Sequence, residues 1–444
     1  MAKVRFGVVG LGNMGTGHAR WCATEGKRTF SLGAVCDVDA DRAKAQSEQY
    51  NVPHFTDAFD MIDSGDIDAV IIAVPHYWHA PIAVYAARTG LHVLCEKPLE
   101  SRVGPARMMV EECRKNNVAF GAVLQHRTRS IMRKAKQLID RGDIGEVFRV
   151  QLVCSSWFRT QAYYDSGAWR GTWDGEGGGV LINQAPHHLD LFQWIGGMPN
   201  RIKGSLSTRA HDIEVEDTAN FICEYDDGKI GYIYATTAEE PGYEQLMVCG
   251  DKGVLVVEKG ELKVGTLKLP VSKHIQESKK GTAGGAEQGI RWKSVPLPKT
   301  KGGQHVMIVD AFAKHIQSGK EQYAPGDEAI NELELSNAMY VAGFKDKTVD
   351  LPVDEKEIDR LIKKLEKERA TGKGGGMRGE ADKALGVLKR GSRPSGPAAP
   401  TAKKKTAKTS GKKRSKKTTR AKTGKEPATA SKKRTSRRQK KAAK

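Results

Sequence analysis

Val4-Arg5-Phe6-Gly7-Val8-Val9 runs directly into Gly10-Leu11-Gly12-Asn13-Met14-Gly15, and an amphipathic stretch follows to about Gly26. An apolar run that ends in Gly-x-Gly-x-x-Gly and opens a helix is a strand–turn–helix with a physical use for each glycine. Gly10 permits the tight turn, Gly12 lets a pyrophosphate approach the backbone, and Gly15 lets helix and strand pack closely. The helix start then offers unpaired N–H groups and the positive end of its dipole to phosphate. Asp37 closes the next apolar run, Ser31–Cys36, 22 residues past Gly15. An acid there accepts hydrogen bonds from the adenosine ribose and repels a 2′-phosphate, so NAD is favoured over NADP. Arg42 is the residue that could accommodate that phosphate instead.

Outward from this signature the pattern repeats. Strand-like runs Ala69–Val74, His92–Cys95 and Val118–Val123 alternate with helical stretches Ala40–Tyr50, Ile82–Thr89 and Val103–Asn116. Apolar strands alternating with helices read as an α/β, doubly wound parallel sheet. Arg127–Arg141 reads as one more helix. Beyond residue 145, strands Val147–Ser155, Arg201–Arg209, Thr218–Tyr225, Ile230–Thr236, Gln245–Val248 and Val254–Glu258 are separated by tight turns such as Asp226-Asp227-Gly228. That texture is an α+β unit with a large, mainly antiparallel sheet. Helices are expected at Gln184–Ile195, His305–Gln317, Asp327–Gly343 and Asp354–Arg369, and Leu267–Pro298 reads as irregular. The expected division is 1–125, 126–370 and a tail at 371–444.

The net charge of +20 in 444 residues is not spread along the chain. Residues 391–444 hold 21 Lys/Arg and one acid, Glu426, and so carry all of it; they contain no Val, Ile, Leu, Met, Cys or aromatic residue. Such a segment cannot bury enough surface to order itself, so a disordered basic tail is expected. Its contact would be a nucleic acid or another polyanion, held through phosphates without base stacking. No apolar run approaches a membrane span. The start of the chain has no charged-then-apolar leader, and seven widely spaced cysteines lack any C-x-x-C. A cytoplasmic protein with reduced thiols and no metal site is the expectation.

Three further motifs complete the reading: Val74-Pro75-His76-Tyr77-Trp78-His79, Glu96-Lys97-Pro98, and Gly177-Gly178-Gly179-Val180-Leu181-Ile182-Asn183-Gln184-Ala185-Pro186-His187-His188-Leu189-Asp190. With the glycine signature, in this order, the chain over about residues 1–355 resembles the Gfo/Idh/MocA oxidoreductases. The resemblance implies a Rossmann domain followed by the sheet domain, and hydride transfer between a nicotinamide and a secondary hydroxyl of a sugar, sugar derivative or inositol. It implies cofactor contacts from Gly10, Gly12, Asn13, Met14, Gly15, Asp37, Pro75, His79, Glu96 and Lys97, catalytic roles for Lys97 and His187, and a homodimer or homotetramer. Inositol dehydrogenases often have Asp where this chain has Asn183. An Asn can position a hydroxyl but cannot take its proton, so proton transfer falls on His187 or Lys97.

The residue types agree with that chemistry. A His titrates near working pH, and burial pulls a Lys towards it. Asn183 and His187, four apart, would share one helix face, with Asp190 beneath to orient the imidazole. The alternatives are a solvated Lys97 and a capping or core His187. Residues 157–173 gather Trp157, Phe158, Tyr163, Tyr164, Trp169 and Trp173 with Arg159 and Arg170. Aromatic faces with a few donors suit a polar ring, and the arginines suit a carboxylate or phosphate. The expected substrate contacts are Arg127, Tyr163, Trp169, Arg170, Asn183 and His187, and Gln125 and His305 stand near the same pocket; core or subunit packing is the competing use of the aromatics. Two other functions compete: an NAD-retaining enzyme that cleaves a glycosidic bond through transient sugar oxidation, and a nucleic-acid-associated protein with a vestigial enzyme domain.

Overall fold

In the computed structural model, which describes residues 2–26, 28–279, 288–298, 303–371 and 376–397, the apolar runs of the N-terminal third become one parallel sheet. Its elements are β1 (Val4–Val9), α1 (Asn13–Thr24), β2 (Phe30–Cys36), α2 (Ala40–Tyr50), β3 (His54–Phe55), α3 (Ala58–Asp63), β4 (Ala69–Ile72), α4 (His79–Arg88), β5 (His92–Cys95), α5 (Val103–Lys115) and β6 (Phe120–Ala122). The strand order is β3-β2-β1-β4-β5-β6, all parallel. Ala69–Ile72 is buried at every position, as a strand covered on both faces requires. The registers pair Val9 with Cys36 and Ile72, Ile72 with Cys95, and Cys95 with Ala122. The residues that follow these strand ends, Gly10, Asp37, Val74–His79, Glu96–Lys97 and Gln125, therefore emerge along one edge. That edge is where doubly wound sheets bind ligands, between β1 and β4 where the strand order reverses.

The second sheet follows. Its elements are α6 (Ser130–Asp140), β7 (Val147–Cys154), α7 (Gln161–Asp165), α8 (Val180–Asn183), α9 (Pro186–Gly196), β8 (Arg201–Ser207), β9 (Thr218–Glu224), β10 (Ile230–Thr236), β11 (Glu244–Gly250), β12 (Gly253–Glu258), β13 (Glu261–Leu267), α10 (Val271–Glu277), β14 (Ile290–Ser294), α11 (Gln304–Ser318), α12 (Gly326–Lys345) and β15 (Val349–Asp350). The order is β14-β13-β12-β11-β7-β10-β9-β8-β15, antiparallel except for β10 on β7. Burial alternates along β9 and β10, so one face is covered and Ile222 and Tyr232, directly paired, stand out on the other.

Several expectations are corrected. The stretch 267–298 is not simply irregular: α10 and β14 lie in it, and β14 extends the sheet from β13. The helix expected at Gln184–Ile195 is α9, which starts two residues later, and the separate short α8 precedes it. Pro186 has no N–H to continue the ladder and instead takes the first position of α9, a site proline favours. Asn183 ends α8 and His187 opens α9, so the two do not share a face through helical spacing. Helix α11, expected within the second domain, packs on the first sheet: Ile308, Val309, Phe312 and Ala313 join Val4, Phe6 and Leu32 in one buried cluster.

The chain also keeps its structure past residue 371. After α13 (Glu355–Arg369), α14 (Met377–Lys389) buries Ala381, Ala384, Leu385 and Leu388. Arg88 Nη1 donates to Leu388 O at 2.6 Å, and Arg102 Nη2 to Asp382 at 2.7 Å. Arg393 pairs with Asp60 and Asp63. Four apolar residues at helical spacing explain the correction: they sit before residue 391, where the apolar content ends. Residues 398–444 lie outside the described residues, and so does most of the expected basic tail. No described helix is long and apolar enough to cross a membrane.

Candidate active site

The glycine turn forms a cradle with one open wall. Gly10 has φ +85°, and a Cβ there would meet Ala73 O at 2.5 Å; a Cβ on Gly15 would overlap Gly10 O at 1.6 Å. A Cβ on Gly12 would meet nothing within 4 Å, so that residue faces the space a phosphate needs. No side chain caps the start of α1 and its first turn holds no acid. Asn13 and Met14 open that helix, with Met14 exposed. These residues fit a dinucleotide.

Asp37 is held in place from several sides. Its carboxylate accepts from Leu11 N at 2.6 Å and Asp39 N at 2.9 Å. Arg42 Nη1 lies 3.1 and 3.2 Å from its two oxygens, and Arg42 Nη2 donates to Asp39 at 3.2 Å. The guanidinium is thus divided between two carboxylates, and the trio keeps a net negative charge. That answers the ambiguity over Arg42 on electrostatic grounds: little positive charge is left for a 2′-phosphate.

At the end of β5, Glu96 Oε1 lies 2.7 Å from buried His18 Nε2. Burial alone would raise the Glu96 carboxyl, yet His18, Lys97 and His305 hold it below its ordinary range, so it stays ionised. Lys97 Nζ donates to Asn183 O at 2.9 Å. Burial pulls its ammonium down against the opposing pull of Glu96, Glu332 and Glu176. His187 is buried and stacks on His126 with centroids 4.4 Å apart. Burial, then His126, Lys97, His188 and His305, depress it well below 6.5, so the ring is neutral. Its Nε2 lies 3.0 Å from the Gln125 amide nitrogen, and its Nδ1 has no protein partner. Asn183 Nδ2 donates to Glu176, whose other oxygen accepts from Gly171 N at 2.7 Å. Lys97, Asn183 and Glu176 thus form one hydrogen-bonded group and Gln125, His126 and His187 another, with the Lys97 charge acting on both His126 and His187. Most buried polar side-chain atoms without a partner, among the described residues, fall in or beside these two groups: Gln125 Oε1, His126 Nδ1, Arg159 Nε, Gln184 Oε1, His187 Nδ1 and Glu332 Oε2. Each such group costs about 1–3 kcal/mol if left unpaired, which suits a site that takes a polyhydroxy ligand.

Other expected residues have different employment. Arg127 is engaged by acids: Nε and Nη2 make a bidentate pair with Asp190 at 2.9 and 2.7 Å, and Nη1 donates to Glu328 at 2.6 Å. Asp190 in turn bonds Arg127 and Gln193, not His187. His79 is a brace. Its Nδ1 lies 3.0 Å from Pro98 O and its Nε2 2.9 Å from Val74 O, which ties the Val74-Pro75 turn to the Glu96-Lys97-Pro98 turn. Neither ring nitrogen is free for a cofactor, whereas Pro75 is exposed at the edge. His76 lies with Nδ1 2.9 Å from Glu176 O, and burial pushes it down to about 3. His305 stacks on Trp21 at 4.9 Å, near His18. Tyr163 Oη accepts from Arg170 Nη1 at 2.7 Å, and Trp169 lies 4.4 Å beneath the same guanidinium. Trp173 is core: fully buried, its Nε1 donates to Glu214 O at 3.1 Å.

Sequence reasoning missed Glu176 and Glu332. Both are buried, and burial raises both carboxyls, Glu332 to about 8. Glu176 lies in the glycine-rich stretch, where an acid beside a buried glycine loop is the only signal. Glu332 lies among other acids of α12, and nothing local marks it.

Residues 4–123 match the model described as an oxidoreductase family, NAD-binding Rossmann fold, and residues 132–256 match the GFO/IDH/MocA C-terminal domain. An uncharacterized oxidoreductase of Streptococcus pneumoniae is 30% identical over 60% of this chain and 71% of its own length. A myo-inositol 2-dehydrogenase of Thermotoga maritima is 26% identical over 56% of this chain and 74% of its own. The WlbA dehydrogenase of Bordetella pertussis, solved with NADH and UDP-GlcNAcA, is 28% identical, with a TM-score of 0.67 over 80% of this chain and 100% of that one. The glycine cradle, the Asp37 carboxylate and both family models agree: the chain belongs to the Gfo/Idh/MocA family of NAD-binding oxidoreductases.

Proposed function

We propose that this protein is an NAD-dependent dehydrogenase acting on a secondary hydroxyl of a sugar, sugar derivative or inositol. The observation that carries the reading is the Lys97 ammonium bound to Asn183 O, four residues before His187, with its charge acting on the neutral His187 ring. NAD, when bound, supplies the hydride acceptor. Gly10–Gly15 and the start of α1 hold its pyrophosphate, and Asp37 its ribose. Glu96, ionised and anchored by His18, fixes the turn that presents Lys97. The Lys97 ammonium, already weakened by burial, donates to the hydroxyl oxygen that is losing its proton. His187 is neutral and so can receive that proton. With Gln125 turned so that Oε1 accepts from Nε2–H, the Nδ1 lone pair is the one left without a partner. Asn183, bound to Glu176, positions and does not titrate.

Relatives named for inositol dehydrogenation and a similar structure solved with a sugar-acid nucleotide support a polyhydroxy ring as substrate. The uncovered face of the second sheet, with Phe148, Ile222, Ile230 and Tyr232 exposed, supports a homodimer or homotetramer. All seven cysteines are free, in keeping with a reducing cytoplasm. The test is a panel of sugars, sugar acids and inositols with NAD, read as NADH formation. Turnover with at least one, lost in Lys97→Ala, is expected. NADPH formation in preference to NADH, or turnover indifferent to Lys97, overturns the reading.

A further inference from the structure

The loop between β7 and α8 carries two cations that the oxidation chemistry does not use. Among the described residues, the other well-buried or half-buried arginines are mostly closed by a carboxylate: Arg102 by Glu100 and Asp382, Arg107 by Glu334, Arg127 by Asp190, Arg129 by Glu244, and Arg378 by Glu366. Arg159 and Arg170 have no carboxylate in direct ion-pair contact, although Arg170 acts through space on Glu176. Among the described residues, Arg159 Nε is buried without an acceptor. Arg170 spends only Nη1, on Tyr163 Oη. Both lie over one ring, 4.3 and 4.4 Å from the Tyr163 centroid, with Trp157 5.4 Å from Arg159 and Trp169 4.4 Å from Arg170. Aromatic faces attract each cation weakly but do not neutralise two like charges held on the same ring.

This pair adjoins the group of Lys97, Asn183 and Glu176. Gly171, next to Arg170, donates to Glu176, which holds Asn183. Gln184, next to Asn183, reaches Tyr163 Oη at 3.5 Å. Arg159 is also set in place by its backbone. Its N–H donates to Thr237 O at 2.9 Å, and its carbonyl lies 2.9 Å from His211 Nε2. The other nitrogen of His211 is 2.9 Å from buried Asp217. A guanidinium whose backbone is fixed from two sides, with its buried Nε unspent, is pre-organised for a carboxylate or phosphate.

We propose, resting on the dehydrogenase reading above, that the substrate bears an anionic group, carboxylate or phosphate, received by Arg159 with Arg170, so that the enzyme acts on acidic sugar derivatives in preference to neutral sugars and free inositols. The electrostatic coupling of Arg159 to Lys97 agrees with that closeness.

The test is an equilibrium titration of the NAD-loaded full chain at fixed ionic strength, read by tryptophan fluorescence, since Trp157 and Trp169 lie against the two arginines. The probes are glucuronate, glucose 6-phosphate, inorganic phosphate, citrate, glucose and myo-inositol. At least one anion should bind about tenfold or more tighter than glucose and myo-inositol, the scale of one charge-assisted pair. Glucuronate against glucose 6-phosphate tells carboxylate from phosphate. Arg159→Leu should remove that advantage about 10–100-fold, Arg159→Lys should recover part of it, and NAD affinity and the unfolding midpoint should stay as in the parent. If no anion outcompetes glucose and myo-inositol, or if Arg159→Leu and Arg170→Leu leave anion affinity unchanged, the proposal is wrong. The two readings fail separately. Arginine-dependent anion binding without NADH from any sugar defeats the dehydrogenase and leaves the anion site. Turnover of neutral sugars with no anion preference does the reverse.

Discussion

Arg127→Met separates a structural role from a substrate role at one residue. The Arg127 and Asp190 side chains are both 1% exposed and meet through two parallel N–H···O contacts of 2.9 and 2.7 Å. Removing the guanidinium leaves the Asp190 carboxylate buried with only the Gln193 amide, 3.0 Å away. It also leaves Asp190 beside Glu332, a carboxyl already pushed up to about 8 by burial and by Asp190. Breaking one side of such a pair costs about 3–5 kcal/mol, because the surviving charge is uncompensated. The Glu328 arm adds little, since that carboxylate is 51% exposed and water screens it. Replacing both partners, Arg127→Met with Asp190→Leu, removes both desolvated charges. The double variant should recover at least about 2 kcal/mol over the single one, because buried pairs exchange for apolar groups at little net cost. Urea unfolding followed by tryptophan fluorescence measures the three variants against the parent, and KM on the folded fraction accompanies it. Unchanged stability in Arg127→Met together with a tenfold rise in KM would return Arg127 to the substrate and refute the structural assignment.

Lys97→Ala and His187→Ala should each lower turnover about 10²–10⁴-fold, the range for a positioned acid or base, with NAD affinity intact by equilibrium titration; near-parental turnover removes the residue from the mechanism. Asp37→Ala should weaken NAD and narrow its advantage over NADP, checked by the two dissociation constants; a parent that already prefers NADP contradicts the ribose role. His126 is pushed down to about 3 and His187 well below 6.5, both first by burial. Their folded values lie below their unfolded ones, so their contribution is present above pH 6.5 and is lost as pH falls towards 3, at up to about 1.4 kcal/mol per histidine per pH unit. A denaturation midpoint flat between pH 7 and 4.5 would contradict their burial as neutral rings. Truncation after residue 397, which spares the Arg393 contacts, should leave turnover unchanged and abolish a weak, steeply salt-dependent binding to duplex DNA; equal DNA binding by the truncated chain excludes the basic segment as its cause.

The cofactor half of the site was legible because local rules and the fold agree there. Val4–Val9 and Ala69–Ile72 are continuous apolar strands, Gly10 and Gly15 have backbone reasons to be glycine, and Asp37 sits where the second strand must end. The short β3 and α3 were not legible, since two and six residues carry too little periodicity. The catalytic half was read with a geometry that the structure corrects. Spacing alone put Asn183, His187 and Asp190 on one helix, but Pro186 divides that stretch, and the partners come from afar: Lys97 for Asn183, Gln125 for His187, Arg127 for Asp190. Pairings between residues tens of positions apart leave no mark on local pattern. Glu176 and Glu332 are invisible for the same reason, because what sets them apart is burial and not their neighbours in sequence. The extra helix α14 was lost to composition: the basic stretch beyond it drew the boundary too early.

On the proposed chemistry a carbon-bound hydrogen of the substrate passes to NAD while Lys97 and His187 handle the hydroxyl proton. A single-turnover experiment follows that hydrogen. Full-length protein with NAD is mixed with ring-deuterated sugars, sugar acids and inositols, and the cofactor is examined by mass spectrometry, for the parent and for Lys97→Ala/His187→Ala. The parent should yield NADH carrying deuterium at the nicotinamide C4 with at least one substrate, and the double variant should bind NAD but leave it unlabelled. Unlabelled cofactor from the parent across the whole panel, or equal labelling by the double variant, contradicts that chemistry.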